Sequence, residues 1–292
     1  MHAFLLKILL KSIALLPLPL NHLLGRLLGE LLWLLPSRNK RVSLINIRLC
    51  YPNKDLPWQQ KLAKQSLIES SKMLAETAAI WNWSSKRLLK LIKQTSGEEH
   101  LLKAQAANKG LIIVAPHIGT WELIGVYLCA QQPLTMMFRP AKTAALTPIM
   151  LQARERFGGK TTPTDTSGVR TLLRTLAKGE FISLLPDQEP SQGGGVFSPF
   201  FNIPASTMTL LSRLARKKKT PTVFVFMERL PRGQGYHLHW LPIDERLYDA
   251  DPVVSATAVN AAVEQCIAIN PSQYLWSYKR FRQRPEGEAS LY

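Results

Sequence analysis

The stretch Leu111-Ile-Ile-Val-Ala-Pro-His117-Ile-Gly-Thr-Trp-Glu122 decides the fold. Its opening run of apolar, partly β-branched residues predicts a buried strand that ends at Pro116, and Gly119 or Thr120 then begins a helix. His117 therefore lies at the carboxyl end of a strand, the edge at which open α/β sheets bind their ligands. The stretch predicts a functional site around His117.

Short apolar runs alternate with helical patterns after residue 108. Strands are predicted at residues 111–115, 134–138, 181–185, 222–227 and 236–241, and helices at residues 121–130, 146–157, 168–176, 206–216 and 253–269. This alternation favours an α/β fold with a mixed, partly parallel sheet flanked by helices. We assign 106–292 to this core and 37–105, where the apolar spacing is mainly helical, to a helical lead-in. The tail after Tyr278 is expected to end loosely on the surface.

Leucine dominates the segment from residue 4 to residue 35, beyond what one face of a surface helix requires. Pro17 and Pro19 divide it into two apolar pieces, and each is shorter than the roughly 20 residues of a straight membrane span. Gly25 and Gly29 give the second piece a small-xxx-small surface for close helix contact.

Residues 1–36 are therefore predicted to anchor the protein to a membrane. A helix lying in the interface and a single tilted span both fit the pattern. A cleaved secretory signal is disfavoured, because no small-residue cleavage site follows and a second apolar segment does. Deletion of residues 1–35 is expected to release the protein from membranes and to leave the α/β core folded.

The chain is strongly basic, with 37 Lys and Arg residues against 20 Asp and Glu residues and a formal net charge of +17. This charge favours anionic partners such as phospholipid headgroups, acidic carrier proteins or nucleic acid. Cys50, Cys129 and Cys266 lie among apolar neighbours, which is typical of free buried thiols. His237 and His239 alternate as on one face of a strand. Because no Cys or His lies near them in the sequence, we predict no metal site.

His117 and Glu122 are five positions apart, which on a continuous helix would place them about 140° out of register. They can pair if His117 lies in the loop before the helix and Glu122 lies in its first turn. In that arrangement the carboxylate folds back to an imidazole N–H, and the other ring nitrogen can act as a general base. The alternative is a histidine that caps the helix and carries no chemistry.

The same His117-Ile-Gly-Thr-Trp-Glu122 resembles the H-x4-D/E signature of glycerolipid-type acyltransferases. Further segments occur in the order found in the lipid A late acyltransferases: Arg41-Val-x-x-x-Asn46-Ile-Arg-x-x-Tyr-Pro52, Phe138-Arg139-Pro140, Arg154-x-Arg156-Phe-Gly158, Pro186-Asp187-Gln188, and Gly195-Val-Phe-x-Pro-Phe-Phe201 with Pro204-Ala-Ser-Thr207. The resemblance extends from about residue 3 to residue 283. The proline-glutamate-glycine-threonine motif of phospholipid-making relatives is missing, which favours the lipid A branch.

The resemblance implies an O-acyltransferase of lipopolysaccharide biosynthesis with a glycerolipid acyltransferase-like fold. It would move a fatty acyl chain from an acyl carrier protein thioester to a hydroxyl of a lipid A precursor, at the cytoplasmic face of the inner membrane. The implied partners are acyl carrier protein, the lipid A precursor and inner-membrane lipids, with no nucleic acid, no metal and no cofactor beyond the acyl donor.

The resemblance also implies roles for individual residues. His117 would be the general base and Glu122 its support. Arg139 and Arg154 are candidates to contact phosphate or the oxyanion, because a guanidinium fork matches such oxygens; exposed arginines without a ligand are the alternative. Asp187 follows a predicted strand and is a second candidate to orient His117.

Two other functions remain open at this point. An acyltransferase of the same fold could act on a lysophospholipid, a glycolipid or an aminolipid, with coenzyme A as donor. A basic membrane-associated protein that binds nucleic acid or lipid without catalysis would also explain the charge, and it predicts that basic and aromatic residues share one exposed face.

Overall fold

The computed structural model describes residues 2–141, 143, 145–191 and 193–292. In this part of the chain the helices are α1 (His2–Ala14), α2 (Leu18–Leu34), α3 (Arg38–Cys50), α4 (Leu56–Asn82), α5 (Ser85–Leu89), α6 (Glu98–Ala106), α7 (Trp121–Cys129), α8 (Leu146–Glu155), α9 (Thr166–Ala177), α10 (Leu210–Lys218) and α11 (Pro252–Ile269). The strands are β1 (Ile92–Ser96), β2 (Leu111–Val114), β3 (Leu134–Phe138), β4 (Lys160–Pro163), β5 (Phe181–Leu184), β6 (Gly195–Phe200), β7 (Ile203–Met208), β8 (Thr222–Arg229) and β9 (Tyr236–Leu241).

A 7-stranded sheet with the order β1-β9-β8-β2-β5-β3-β4 forms the centre of the molecule. Every neighbouring pair in it is parallel except β8 and β9, which are antiparallel. Strands β6 and β7 form a separate antiparallel hairpin. The mixed, partly parallel sheet flanked by helices is therefore confirmed.

All of the strands predicted between residues 111 and 241 are present, within a few residues of the predicted ends. Strand β1 was not predicted, because its sequence Ile-Lys-Gln-Thr-Ser is mostly exposed and polar at the sheet edge. The helix predicted at 206–216 begins too early, since residues 203–208 pair with β6 and α10 starts at Leu210. The hairpin was missed because its turn uses Phe201 and Asn202 at positive φ rather than glycine.

Strand β2 is buried on both faces, as a continuous apolar run requires. Ile112 and Val114 point into a core that includes α11 residues such as Val263. Leu111 and Ile113 point to the opposite side, into a core that includes α7. The sheet thus forms the middle layer, and its central strand delivers the residues that follow it to one fixed edge.

The small-xxx-small surface on α2 is confirmed as a close helix contact with α4. A Cβ atom on Gly25 would lie 2.4 Å from Cα of Lys72, and one on Gly29 would lie 2.4 Å from Cα of Ile68. Only glycine permits this approach, so α2 is packed against the rest of the protein.

The opposite face of the amino-terminal helices is apolar and exposed. Leu27 and Leu31 on α2 are 56% and 52% exposed, and Phe4 on α1 is 68% exposed. Helices α1 and α2 together have the length and hydropathy of a membrane span, but they are bent by 120° at their junction. Helix α11 also has the length and hydropathy of a span, and half of it is buried inside the protein.

The expectation of a loose carboxyl-terminal tail is wrong. Arg280 and Phe281 are buried, and the hydroxyl of Tyr292 accepts a hydrogen bond from the Phe281 amide at 3.1 Å. Asn46, from the Arg41–Pro52 motif, donates to the carbonyls of Trp276 and Tyr278 at 2.7 and 2.6 Å. The tail looked polar in sequence, but buried oxygen atoms of Ser206 and Thr207, far along the chain, accept hydrogen bonds from Arg280.

Candidate active site

The loop after β2 holds His117 in a fixed place. Gly119 has a φ of +60°, and a Cβ atom there would lie 2.0 Å from the carbonyl oxygen of Met227. The Gly119 amide donates to the Gln273 carbonyl at 3.1 Å, and the His117 carbonyl accepts from the Leu275 amide at 3.1 Å. Because both sides of the loop are bonded to other segments, the histidine is presented at the strand end with little freedom.

Asp187 is the carboxylate that holds the imidazole. Its Oδ1 lies 2.9 Å from Nδ1 of His117, and its Oδ2 accepts the His117 backbone N–H at 3.0 Å. Because a carboxylate can only accept, Nδ1 carries the proton and Nε2 is left as the acceptor. Nε2 lies 3.1 Å from Nε2 of Gln188, an amide donor. The placement of Asp187 at the end of β5 is as predicted, whereas the Gln188 contact was not.

Electrostatics favours the ionised form of Asp187. Burial by itself raises the pKa of this carboxyl, but the charge of His117 and the hydrogen bonds from its ring and backbone outweigh burial, and the pKa lies below its usual range. The aspartate side chain is 2% exposed and the histidine side chain 15% exposed. The pair therefore combines a dry, charged support with a ring that remains accessible.

Glu122 does not bind the imidazole, so the predicted Glu122–His117 hydrogen bond is wrong. Its Oε2 accepts from Nε of Arg154 at 3.1 Å and from Nε1 of Trp81 at 3.0 Å, and a terminal guanidinium nitrogen of Arg154 bonds Oε1. The side chain does lie in the first turn of α7, but Arg154 on α8 is the nearer cation. A catalytic role for Glu122 stays a prediction.

The Glu122–Arg154 pair is largely buried. Burial raises the pKa of Glu122, but the charge and hydrogen bonds of Arg154 and the Trp81 hydrogen bond outweigh it, so the pKa is lowered. The charge of His117 adds a smaller contribution in the same direction, which places the imidazole within electrostatic reach of this carboxylate. A bidentate pair of this kind fixes the orientation of the guanidinium.

A second buried network supports the helix that follows His117. Glu76 on α4 accepts from Nε of Arg229 at 3.0 Å, from the Tyr236 hydroxyl at 3.0 Å, and from the Thr120 hydroxyl. His22 on α2 lies 2.9 Å from the same carboxylate. Burial raises the pKa of Glu76, but Arg229 and His22 lower it well below its usual range. The sequence did not indicate a role for these residues, because partners far apart in the chain leave no local pattern.

A cleft of about 290 Å³ opens beside His117 and contains most of the predicted site residues. The polar residues that line it include His117, Gln188, Glu122, Arg154 and Arg139. The remaining wall is mostly apolar and includes Ile124, Phe138, Met136, Met137, Met150 and Met208. Methionine side chains adapt to ligands of varied shape, so this wall suits a flexible hydrocarbon chain.

Asp187 lies directly behind the histidine, and the loop that carries it is braced by the carboxyl-terminal segment. Glu189 is buried and accepts from Nε of Arg282 at 3.1 Å and from the Gln283 amide at 2.7 Å. The Tyr278 hydroxyl accepts the Glu189 amide at 2.9 Å. The tail therefore positions the Asp187 loop.

The basic and aromatic residues near the carboxyl terminus do not share one exposed face. Trp276 and Phe281 are buried, and Arg280 is 2% exposed and donates to the Ser206 carbonyl at 2.6 Å and to the Thr207 hydroxyl at 2.8 Å. These contacts are structural, so this cluster does not provide the stacking surface that binding of single-stranded nucleic acid requires.

A histidine at a strand end, supported by a carboxylate and placed beside an apolar cleft, is able to remove a proton from a hydroxyl and to hold an apolar substrate next to it. This fold and this site suit an α/β enzyme that acts on a hydroxyl beside an apolar chain.

Comparison with known proteins gives the family. The model of the bacterial lipid A biosynthesis acyltransferase family matches residues 1–283. The chain is 30% identical to a lipid A biosynthesis lauroyltransferase of Escherichia coli (strain K12), over 95% of this chain and 90% of that protein. It is 29% identical to a lipid A biosynthesis palmitoleoyltransferase of the same strain, over 95% of this chain and 90% of that protein. It is 22% identical to a lipid A biosynthesis myristoyltransferase of that strain, over 94% of this chain and 83% of that protein.

The chain therefore belongs to the bacterial lipid A biosynthesis acyltransferase family, and it is an acyltransferase of lipid A biosynthesis. The family resemblance drawn from the sequence motifs is confirmed.

Proposed function

We propose that this enzyme transfers a fatty acyl chain from an acyl carrier protein thioester to a hydroxyl of a lipid A precursor, with His117 as the general base. The observation that carries the proposal is the partly exposed ring of His117, whose Nδ1 is held by Asp187 at 2.9 Å beside the apolar cleft. The Gln188 amide, which lies 3.1 Å from Nε2, would turn away when the acceptor hydroxyl binds there. Membership of the family supplies the pathway.

The reaction follows from this geometry. Nε2 of His117 takes the proton of the acceptor hydroxyl as the oxygen attacks the thioester carbonyl. The resulting imidazolium is stabilised by ionised Asp187. When the tetrahedral intermediate collapses, the C–S bond breaks, the ester forms, and the imidazolium returns its proton to the departing thiolate.

Two cations that line the cleft support this chemistry. Arg139 is exposed at the rim, where it can reach a phosphate of the acceptor. Arg154 is less exposed, lines the cleft and is oriented by Glu122. We assign Arg139 to phosphate binding and Arg154 to stabilisation of the oxyanion. The reaction as written needs neither a cofactor nor a metal.

The acyl chain would lie along the methionine-rich wall of the cleft, and the acceptor would enter from the membrane. We propose that α1 and α2 lie in the interface of the cytoplasmic leaflet with their exposed leucines in the lipid, because the 120° bend and the close packing of α2 on α4 are incompatible with one straight span of both helices. Such an anchor keeps the enzyme beside its lipid substrate.

The basic end of α10 offers a place for the acyl carrier protein. Arg213, Arg216, Lys217, Lys218 and Lys219 are all exposed. An acidic carrier would be attracted to this surface, as would anionic headgroups.

The test is an assay of the full-length, detergent-solubilised protein with acyl carrier thioester and a tetra-acylated lipid A precursor bearing its inner sugars. We expect acyl transfer by the wild type and a loss of at least a hundredfold in kcat for His117→Ala. Equal rates for the two proteins would overturn the assigned base. Transfer only to a lysophospholipid, glycolipid or aminolipid would show that the proposed acceptor is wrong, and transfer only from acyl coenzyme A would show that the proposed donor is wrong. Neither result would contradict the assignment of His117 as the base.

A further inference from the structure

A cluster of side chains able to bind a metal ion lies on strands β8 and β9, on one face of the sheet. Glu228, His237 and His239 each direct one ligand atom into a common space, and these atoms lie within 4.8 Å of one another. Nε2 of His239 is 2.9 Å from Oε2 of Glu228, and Nδ1 of His237 is 3.9 Å from the same oxygen. No metal site was predicted at His237 and His239, because no further Cys or His lies near them in the sequence.

The strand register brings the third ligand to the pair. In the antiparallel β8–β9 ladder, Glu228 is the direct partner of His237, and Phe226 is the partner of His239. Alternate residues of a strand point to the same face, so the two imidazoles and the carboxylate converge. The two rings have centroids 3.8 Å apart, and His239 stacks on Phe226 at 4.6 Å.

Neighbouring polar groups orient the ligands, as they do around many metal sites. The Ser96 hydroxyl lies 2.7 Å from Nε2 of His237, which leaves Nδ1 of that ring directed toward the cluster. Asn270 donates to Oε1 of Glu228 at 2.8 Å, which leaves Oε2 free to face the histidines. The three side chains are partly buried, with exposures between 12% and 20%.

We propose that Glu228, His237 and His239 bind one divalent transition-metal ion of the zinc type, with water in the fourth position. Tetrahedral zinc holds nitrogen and oxygen ligands at about 2.0–2.2 Å, so its ligand atoms are roughly 3.3 Å apart. The separations of 2.9 and 3.9 Å need only small rotations to meet this geometry. Binding would replace the proton that His239 shares with Glu228.

The position of the cluster indicates a bracing role. None of the three residues is among the described residues that line the cleft. Ser96 belongs to β1, and Asn270 ends α11 immediately before the segment whose Gln273 and Leu275 bond the loop of His117. A metal ion would therefore tie β1, β8 and β9 to the segment that supports the active-site loop.

The experiment uses the full-length protein without a histidine tag, stripped of metal with a chelator and titrated with Zn²⁺ and Co²⁺. We expect one equivalent of Zn²⁺ to bind, and Co²⁺ to give the intense visible absorption of a four-coordinate site. At a hundredfold excess over the dissociation constant, Zn²⁺ should raise Tm by about 5 °C.

Matched variants identify the ligands. His239→Gln and Glu228→Gln should each weaken Zn²⁺ binding at least about tenfold and abolish the Co²⁺ spectrum, while circular dichroism shows an intact fold. His100→Gln on α6 and His117→Gln in the active site serve as controls and should bind as the wild type does. The proposal is overturned if the wild type binds no stoichiometric metal, or if the ligand variants bind as well as the controls.

Discussion

Nδ1 of His117 lies 2.9 Å from Oδ1 of Asp187, a residue carried by the loop after β5 on the strand next to β2. The carboxylate fixes the ring tautomer and its direction, and it also bonds the His117 amide at 3.0 Å. Loops that follow neighbouring parallel strands meet at the same sheet edge, which explains why residues so distant in sequence form the pair.

Asp187→Asn is expected to lower kcat by about 10²- to 10⁴-fold with little change in KM, because the amide can present the wrong hydrogen-bonding group to the imidazole and cannot stabilise its charged form. Steady-state kinetics with acyl carrier thioester check this. The matched control is Asp165→Asn, an exposed helix cap on α9 that should leave kcat unchanged. Wild-type turnover by Asp187→Asn would return the supporting role to Glu122.

Arg154→Met should destabilise the protein by about 2–3 kcal/mol, because it leaves the carboxylate of Glu122 buried without its cation. This loss is smaller than for a fully buried pair, since the arginine is partly exposed and its charge is screened by solvent. Chemical denaturation measures the change. The double variant Arg154→Met with Glu122→Leu should recover most of the stability while remaining slow in catalysis. If the double variant is no more stable than Arg154→Met alone, the pair is not the cause.

Gly125→Leu should shorten the acyl chain that the enzyme prefers. Gly125 lines the cleft, and a Cβ atom there would already lie 3.1 Å from Sδ of Met136. A leucine at this place would fill space otherwise open to roughly two to four methylene groups. Competition between acyl carrier thioesters of different chain length measures the preference, and Gly125→Ala should give a smaller shift. An unchanged product distribution with both variants would show that the chain lies elsewhere.

Glu76→Gln should lower stability at neutral pH by about 3 kcal/mol, because Arg229 loses its buried partner. The native pKa of Glu76 lies below its ordinary value of 4.5, so the native state holds fewer protons than the unfolded state. The stabilisation is therefore complete above about pH 4.5 and is lost as the pH falls below it. The difference between wild type and variant, followed by thermal unfolding from pH 7 to pH 3, should shrink on the acid side. A constant difference across this range would contradict the assignment.

Leu27→Ser and Leu31→Ser should each weaken binding to anionic phospholipid vesicles by roughly tenfold, because these exposed side chains would be transferred from lipid to water. Sedimentation with vesicles measures the partition. Leu102→Ser is a matched control, since Leu102 is 58% exposed but lies on α6 rather than on α1 or α2. If Leu27→Ser and Leu31→Ser weaken vesicle binding no more than Leu102→Ser does, this face of α2 does not contact the membrane.

The structure also changes the expected result of deleting residues 1–35. Helix α2 carries His22, which lies 2.9 Å from buried Glu76, and its glycines pack directly on the α4 backbone. Removing the segment would expose that surface and leave Glu76 with fewer partners. We therefore expect the deleted protein to be markedly less stable as well as released from membranes.

The amino-acid sequence by itself determined the β2 strand, the position of His117 at its end, and the alternation of strands and helices that defines the α/β class. These features follow from local rules, since apolar periodicity and turn residues act over a few positions. The motifs also indicated the family, and they contained Asp187 and Arg154 without deciding which residue each of the two binds.

Only the tertiary structure decided which carboxylate holds the imidazole, which cation holds Glu122, and which acid joins His237 and His239. Each of these pairs is made by residues from different elements, and strand order and register bring them together. Burial makes each of these pairings important for stability, because an ionised group removed from water requires a partner within hydrogen-bonding distance. Spacing along the chain carries no record of that distance.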